Sequence, residues 1–244
     1  MRIDSLSVQM RPRAAHEAAD LGVRLCQATA RSIYPCYLLV AIPTGLIALS
    51  LFEIAPWLPM FTLWIAKPWL DRTVLFVLAR AAFGQSTTVG DLWREQRAVL
   101  WRQLIISWTW RRLSPWRSFT QPVYQLEGLP FFQLRGRIVQ LRRKYGGAAL
   151  VMTSAFYWAE TGLVCGLVSL VYWFAPAEQN FDPTEMFTEL GTQIAQLAVS
   201  IAYFLVVLFL EPFYVAAGFG MYLNRRAELE AWDIEQEFRR AFSA

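Results

Sequence analysis

The feature that most limits what this chain can fold into is an apolar run near its end, Val199 to Asn224, which reads VSIAYFLVVLFLEPFYVAAGFGMYLN. Roughly 20 apolar residues cross the hydrocarbon core of a bilayer as a helix, so the run is long enough to span. It is not a plain anchor. Glu211 sits inside it, Pro212 follows at once, and Arg225 and Arg226 close it. A carboxylate at membrane depth is costly and faces protein or water rather than lipid. A proline there frees a backbone carbonyl and favours a kink. A chain carrying such a helix must supply partners for its carboxylate, and the candidates lie earlier in the sequence.

The composition fits a membrane setting. Apolar residues make up 56% of the chain and charged residues 17%, against about 45–50% and 25% in soluble domains. Eleven Trp and nine Tyr suit a protein with much interfacial surface, where a ring with one polar edge is favoured. The expected class is an all-α integral membrane protein forming a single membrane domain over residues 1–244.

The basic residues set the topology. Residues 1–32 hold five, 56–83 three, 84–147 eleven and 225–244 four, while 175–189 hold none and carry Glu178, Asp182, Glu185 and Glu189. Lys and Arg favour the cytoplasmic side of short loops. Four transmembrane helices with both termini in the cytoplasm satisfy every count. Three or five crossings would place the basic stretch or one terminus on the wrong side. The expected membrane segments are 33–55, 58–83, 148–174 and 190–224. A secretory signal peptide is not expected, because the first strongly apolar run starts near Ile33 and no small-residue cleavage site follows it.

Amphipathic segments flank these crossings. Over 13–31, residues Arg13, Glu17, Asp20, Arg24, Gln27 and Arg31 recur at helical spacing, with Ala14, Ala18, Leu21, Gly22, Leu25 and Ala28 opposite. Two readings stay open: a helix lying on the cytoplasmic membrane surface, or one packed on the protein's own cytoplasmic side. Residues 84–147 read as a cytoplasmic interfacial region rather than a soluble domain. Thr88 is an N-cap candidate, with Asp91 three residues later. The stretch 111–128, rich in Pro, Ser and Arg, reads as an ordered loop against the headgroups. Leu134, Ile138, Leu141 and Tyr145 then follow helical spacing among basic residues, as in a helix at an anionic surface. Residues 225–244 read as a C-terminal amphipathic helix. The membrane-surface or partner contacts expected from these segments are Arg111, Arg112, Arg117, Arg135, Arg137, Arg142, Arg143, Lys144, Arg225 and Arg226. Basic residues among aromatics also suit nucleic acid, but no recognition motif is present and a membrane surface already accounts for the charge.

The second apolar region, 58–83, is unusual, because Lys67, Asp71 and Arg72 fall near its middle. It reads as a broken crossing with its charges facing protein or a wet cavity, or else as a re-entrant hairpin. Lys67 and Asp71, four residues apart, are placed to pair. Together with Glu160 and Glu211 these form the set of intramembrane polar candidates. One reading makes them a polar pathway or lipid-headgroup pocket, with the carboxylates as proton or cation sites. The other makes them buried ion pairs that fix helix packing, with Arg72, Arg80 or a cytoplasmic arginine as partners.

Several stretches, RPRAAHEAADLGVRL, KPWLDRTVLFVLARAAFGQ, RRLSPWRSFTQPVYQLEG and EPFYVAAGFGMYLNRRAELEAWDIEQEFRR, resemble a group of bacterial multi-pass membrane proteins to which no reaction is assigned. The last stretch is also similar to the end of the membrane domain attached to some glycerophosphodiester phosphodiesterases. The resemblance implies a bacterial inner-membrane location, and such proteins are often encoded beside membrane proteins bearing transglutaminase-like domains and a chaperone-type ATPase. The phosphodiesterase barrel is not found in this sequence, so its activity is not carried over.

Much chemistry is excluded. The one histidine, His16, lies in the N-terminal amphipathic segment, which removes His-based triads and His metal sites. Neither a Walker-type loop nor a dinucleotide fingerprint is present. Cys26, Cys36 and Cys165 have no CxxC or metal spacing and are expected as free thiols. No cofactor and no metal are expected. The function expected is that of a non-enzymatic component docking other membrane or membrane-associated proteins at the cytoplasmic face. The alternative is lipid handling or small-solute transport through the intramembrane charges.

Overall fold

In the computed structural model, which describes residues 13–101, 114–129, 131–174 and 189–230, helices follow one another with no strand among the described residues. They are α1 (Ala15–Ala28), α2 (Ala30–Ser50, prolonged by a 3-10 turn at Leu51–Glu53), α3 (Leu58–Ala82), α4 (Val89–Gln96, running into a π turn at Arg97–Trp101), α5 (Arg117–Leu126), α6 (Phe131–Trp173) and α7 (Glu189–Glu230). Three helical stretches are long and apolar enough to cross a membrane: Ala30–Glu53, Phe132–Leu170 and Gln193–Glu230. Arg111, Arg112, the short apolar run 104–110, most of the acidic loop and the C-terminal helix beyond Glu230 lie outside the described residues.

Two glycines end helices where the chain must turn. Gly84, after α3, and Gly128, after α5, have φ of 71° and 61°, a conformation that costs a residue without Cβ least. Thr88 caps α4 as expected. Its hydroxyl accepts from the Asp91 N–H, and the Asp91 carboxylate accepts from the Thr88 N–H at 2.9 Å. These hydrogen bonds hold the exposed Asp91 carboxyl below its usual range.

α7 is the spine against which the other helices pack. α1 makes its most extensive contacts along α7, antiparallel to it. The seam is made of small residues. A Cβ on Gly22 would overlap the Ala216 carbonyl, and one on Gly220 would overlap the Ala18 carbonyl. Such glycines let two helix backbones approach closely. At the end of the seam, Asn224 brackets the start of α1. It accepts from the Arg13 N–H at 3.1 Å and donates to the Arg13 carbonyl at 2.8 Å. Of the two readings of the N-terminal helix, the structure therefore has the one packed on the protein, with Glu17, Asp20, Arg24, Gln27 and Arg31 exposed.

α3 lies at the centre. From Ala66 to Ala79 every residue but the half-buried Trp69 is buried, including Lys67, Asp71 and Arg72. The helix is unbroken over its 25 residues, Pro68 included, so the expected interruption and the re-entrant hairpin are both absent. The polar residues need no break in the backbone because neighbouring helices supply their partners. α6 also corrects an expected boundary. The basic amphipathic stretch and the apolar segment 148–174 form one continuous helix of 43 residues. α7 likewise continues through Pro212 to Glu230.

The interfacial region holds the largest difference. The stretch 111–128 was expected as a loop against headgroups, yet 117–126 form a helix, and Arg117 through Val123 are buried inside the bundle. Backbone carbonyls explain the seating. Gln121 donates to the Pro68 carbonyl at 3.3 Å and Gln125 to the Arg72 carbonyl at 2.9 Å, fastening α5 to α3. On the other side Gly218 of α7 closes onto Ser118.

Candidate functional site

Four helices bring five charged side chains together. α3 contributes Lys67 and Asp71, one turn apart on the same face. α5 contributes Arg117 from its first residue, α6 contributes Glu160, and α7 contributes Glu211. Lys67 Nζ lies 2.7 Å from Glu160 Oε2 and 2.7 Å from Glu211 Oε2. Arg117 Nη2 donates to Glu211 Oε1, and Arg117 Nε lies 3.0 Å from Asp71 Oδ2. The groups therefore alternate in sign as a chain: Glu160, Lys67, Glu211, Arg117, Asp71. Two tyrosines of α7 back the cations. Lys67 Nζ is 5.6 Å from the centre of the Tyr203 ring, and the Arg117 guanidinium is 5.1 Å from that of Tyr214. Cations over aromatic faces gain from the ring quadrupole.

The site is deep in the bundle. Glu211 and Arg225 are fourteen positions apart on α7, about 21 Å at 1.5 Å per residue. Lys67, Asp71, Arg117 and Glu211 are each no more than 6% exposed, while the Glu160 side chain is 19% exposed. Glu160 borders a cavity of about 490 Å³ that lies between α3, α6 and α7 and reaches the start of α5. Its lining includes Lys67, Arg117, Glu160 and Glu211 together with Met60, Trp64, Tyr157 and Val164. Ionic side chains buried this way are costly unless mutually paired. Here the pairing is incomplete in detail. Asp71 Oδ1, Arg117 Nη1 and Ser118 Oγ are buried without a hydrogen-bond partner.

The sequence-based candidates divide. Lys67, Asp71, Glu160 and Glu211 converge, but Lys67 and Asp71 do not pair with each other. Arg72 points elsewhere, donating through Nε to the Val99 carbonyl and through Nη2 to the Ala98 carbonyl at 3.3 Å. Arg80 pairs with Glu95 at 3.6 Å. Neither is a partner of Glu211, which pairs with Lys67 and with Arg117, an arginine of the basic stretch that was expected on the membrane surface. Arg117 is misplaced by a reading that counts basic residues, because a lone arginine followed by nine uncharged residues looks like the rest of a basic stretch. A signal was present: Arg117, Gln121 and Gln125 recur every four residues and so share one face of a helix.

The remaining basic candidates gather at the other end of α6 and α7. Arg137 Nε lies 2.9 Å from Glu127 Oε2, and its Nη2 lies 2.6 Å from Glu230 Oε1. Lys144 and Arg225 both reach Glu228, at 3.0 and 2.9 Å, and Arg226 pairs with Glu230 at 3.0 Å. Arg142 stacks on the Trp116 ring at 3.3 Å. These five bind the protein to itself, and the exposed Arg135 and Arg143 remain as surface contacts, with Lys144 at 58% exposure.

No protein-family model, curated protein or solved structure matches this chain. Among the described residues no set of three metal-binding side chains converges. The buried carboxylates face cations instead, and what the site offers a ligand is a charged recess with an aromatic mouth.

Proposed function

We propose that this protein is a non-enzymatic, multi-pass membrane component that handles a lipid or small amphiphilic solute in the cavity lined by Lys67, Glu160 and Glu211. The observation that carries this reading is the cavity itself. About 490 Å³ falls within the 300–1,000 Å³ common for small-molecule sites, which are mostly apolar with a few polar groups placed to orient the ligand. Packing alone would favour closing such a space. The proposed setting is a bacterial inner membrane with α3 as a fourth crossing beside the three apolar helices. Its charges are then shielded by α5, α6 and α7, and both termini lie in the cytoplasm with the basic segments. Thiol labelling tests this topology. Asn180→Cys should react only from outside and Arg143→Cys only from inside, and labelling of position 143 from outside would sink it.

The functional test fills the cavity. Val164→Trp adds bulk at its apolar end without touching the ionic chain. Protein purified in mild detergent should carry bound lipid or amphiphile detectable by native mass spectrometry, and the variant should lose it. An identical complement in both proteins would remove the support for this reading. A second reading is a scaffold that docks membrane-associated proteins at its cytoplasmic end, favoured by the exposed Arg135 and Arg143. Charge reversal at both positions should then abolish partner capture from native membranes while leaving the bound amphiphile in place.

A further inference from the structure

We propose that the occupant of the cavity has a zwitterionic head, an ammonium joined to an anionic group such as a phosphodiester, laid against the Lys67–Glu160 pair in the opposite order. The proposal rests on the cavity reading above and names the chemistry of the molecule that fills it.

The first support is that the lining presents both signs. Lys67 and Arg117 line the cavity together with Glu160 and Glu211. Of the links in the ionic chain, Lys67–Glu160 is the one a ligand can reach. The Glu160 side chain is 19% exposed, whereas Lys67–Glu211, Glu211–Arg117 and Arg117–Asp71 each join groups no more than 6% exposed. The pair, 2.7 Å apart, is a local dipole at the edge of the cavity.

The second support is what such a dipole accepts. A head of one sign is drawn to one member of the pair and meets the other as a like charge, which is costly where water is excluded. A head of both signs places its ammonium by Glu160 and its anion by Lys67, so that both contacts join opposite charges. It adds no net charge to the interior, whatever charge the groups behind the pair hold. Lys67 keeps Glu211 throughout. A charge-assisted hydrogen bond at either contact is about twice as strong as a neutral one.

The third support concerns the surroundings of the pair. Each member has an aromatic ring about one turn away on its own helix, Trp64 before Lys67 on α3 and Tyr157 before Glu160 on α6. Both rings line the cavity, and ammonium groups, methylated ones included, are drawn to aromatic faces. Met60, Trp64 and Tyr157 are exposed at 45%, 38% and 63%. In the proposed setting they meet acyl chains, so a head that enters here brings an apolar tail that stays among them.

A native thiol reports occupancy. Cys165 lines the same cavity and is exposed, whereas Cys26 and Cys36 are buried. The full-length protein in dodecyl maltoside is treated with N-ethylmaleimide in the presence of dodecylphosphocholine, dodecyltrimethylammonium, dodecyl phosphate or dodecanol at equal mole fraction in the micelle. These probes share a tail and differ in the charge of the head. Dodecylphosphocholine is expected to slow Cys165 labelling about tenfold at a fraction where the others change it little, the ratio that one further ion pair would give. Replacing the pair together, Lys67→Met with Glu160→Gln, should bring its protection down to that of dodecanol. Val164→Trp should remove protection by every probe, which separates occupancy from the effect of micelle charge on the thiol. The comparison of probes on the unaltered protein stands even where the double variant fails to fold. Equal or better protection by a singly charged or neutral probe overturns the zwitterionic head while leaving the cavity reading intact, and so does undiminished protection in a folded double variant. Protection by none of the probes overturns both.

Discussion

Two ionic clusters in this molecule use the same residue types and differ in every other respect. At the end of α6 and α7, Glu127, Glu228 and Glu230 meet Arg137, Lys144, Arg225 and Arg226, and the hydroxyls of Tyr145 and Tyr222 donate to Glu228 and Glu127. Each acid there has at least two donors, and cations outnumber acids. In the interior, Lys67 and Arg117 alternate with Glu160, Glu211 and Asp71, and all but Glu160 are almost wholly shut off from solvent. The difference lies in what water can do. Where solvent reaches, an imbalance is screened and each pair contributes little. Where it does not, the charges must neutralise one another. The outer cluster fastens helices together. The inner one does so out of reach of water and borders a cavity.

The sharpest way to break this contrast is Arg117→Met. It removes the cation in contact with Asp71 and half the pairing of Glu211, so it should destabilise the protein by about 3–5 kcal/mol, read as a lower midpoint in thermal unfolding followed by size exclusion. A loss under about 1 kcal/mol would show that water reaches the inner cluster after all. Gly22→Val should rank second. Its side chain must displace the Ala216 carbonyl, an overpacking typically costing about 1–3 kcal/mol, and protease should then cut near residue 28 in the detergent-solubilised protein. Lys144→Ala, at the outer cluster, should cost less than about 1 kcal/mol in the same unfolding assay. The smallest effect belongs to Asp91→Asn. The folded state holds the Asp91 carboxyl below its usual range, so its contribution is present above the unfolded carboxylate pKa and is lost as pH falls through the lowered value. Amide exchange over residues 89–96 should rise on acidification in the parent protein and stay flat with pH in the variant.

Reactivity offers one more distinction. Burial pushes the Cys26 thiol up to about 12, so at pH 8 a maleimide should modify Cys165 and leave Cys26 intact, as peptide mapping would show.

Much of the helical plan is legible in the sequence. The apolar runs mark α2, the later part of α6 and α7, because length and hydropathy report directly on what a helix can bury in lipid. Lys67, Asp71, Glu160 and Glu211 also stand out, since charges inside apolar runs are rare. What is not legible is pairing. The i, i+4 spacing of Lys67 and Asp71 favours a local bond, yet each finds its partners on other helices. Tertiary geometry decides between them, and one sequence carries no record of it. Arg117 shows the second gap. Positive-inside counting treats every arginine in a segment alike, whereas the structure separates Arg117, deep in the bundle, from Arg135 and Arg143 on the surface. The boundary of α6 shows the third. A change from basic to apolar composition marks where a membrane begins and leaves the helix itself uninterrupted.

The glycine seam between α1 and α7 imposes an order on how the protein is made. Arg13 and Asn224 are 211 residues apart, so at ribosomal speeds of about 5–20 residues per second the first helix exists for roughly ten to forty seconds before the last one emerges. Throughout that interval its Ala18 and Gly22 lack the α7 backbone on which they close. The seam is therefore a late step of assembly, and a chain cut short before Asn224 would lack the residue that brackets the start of α1.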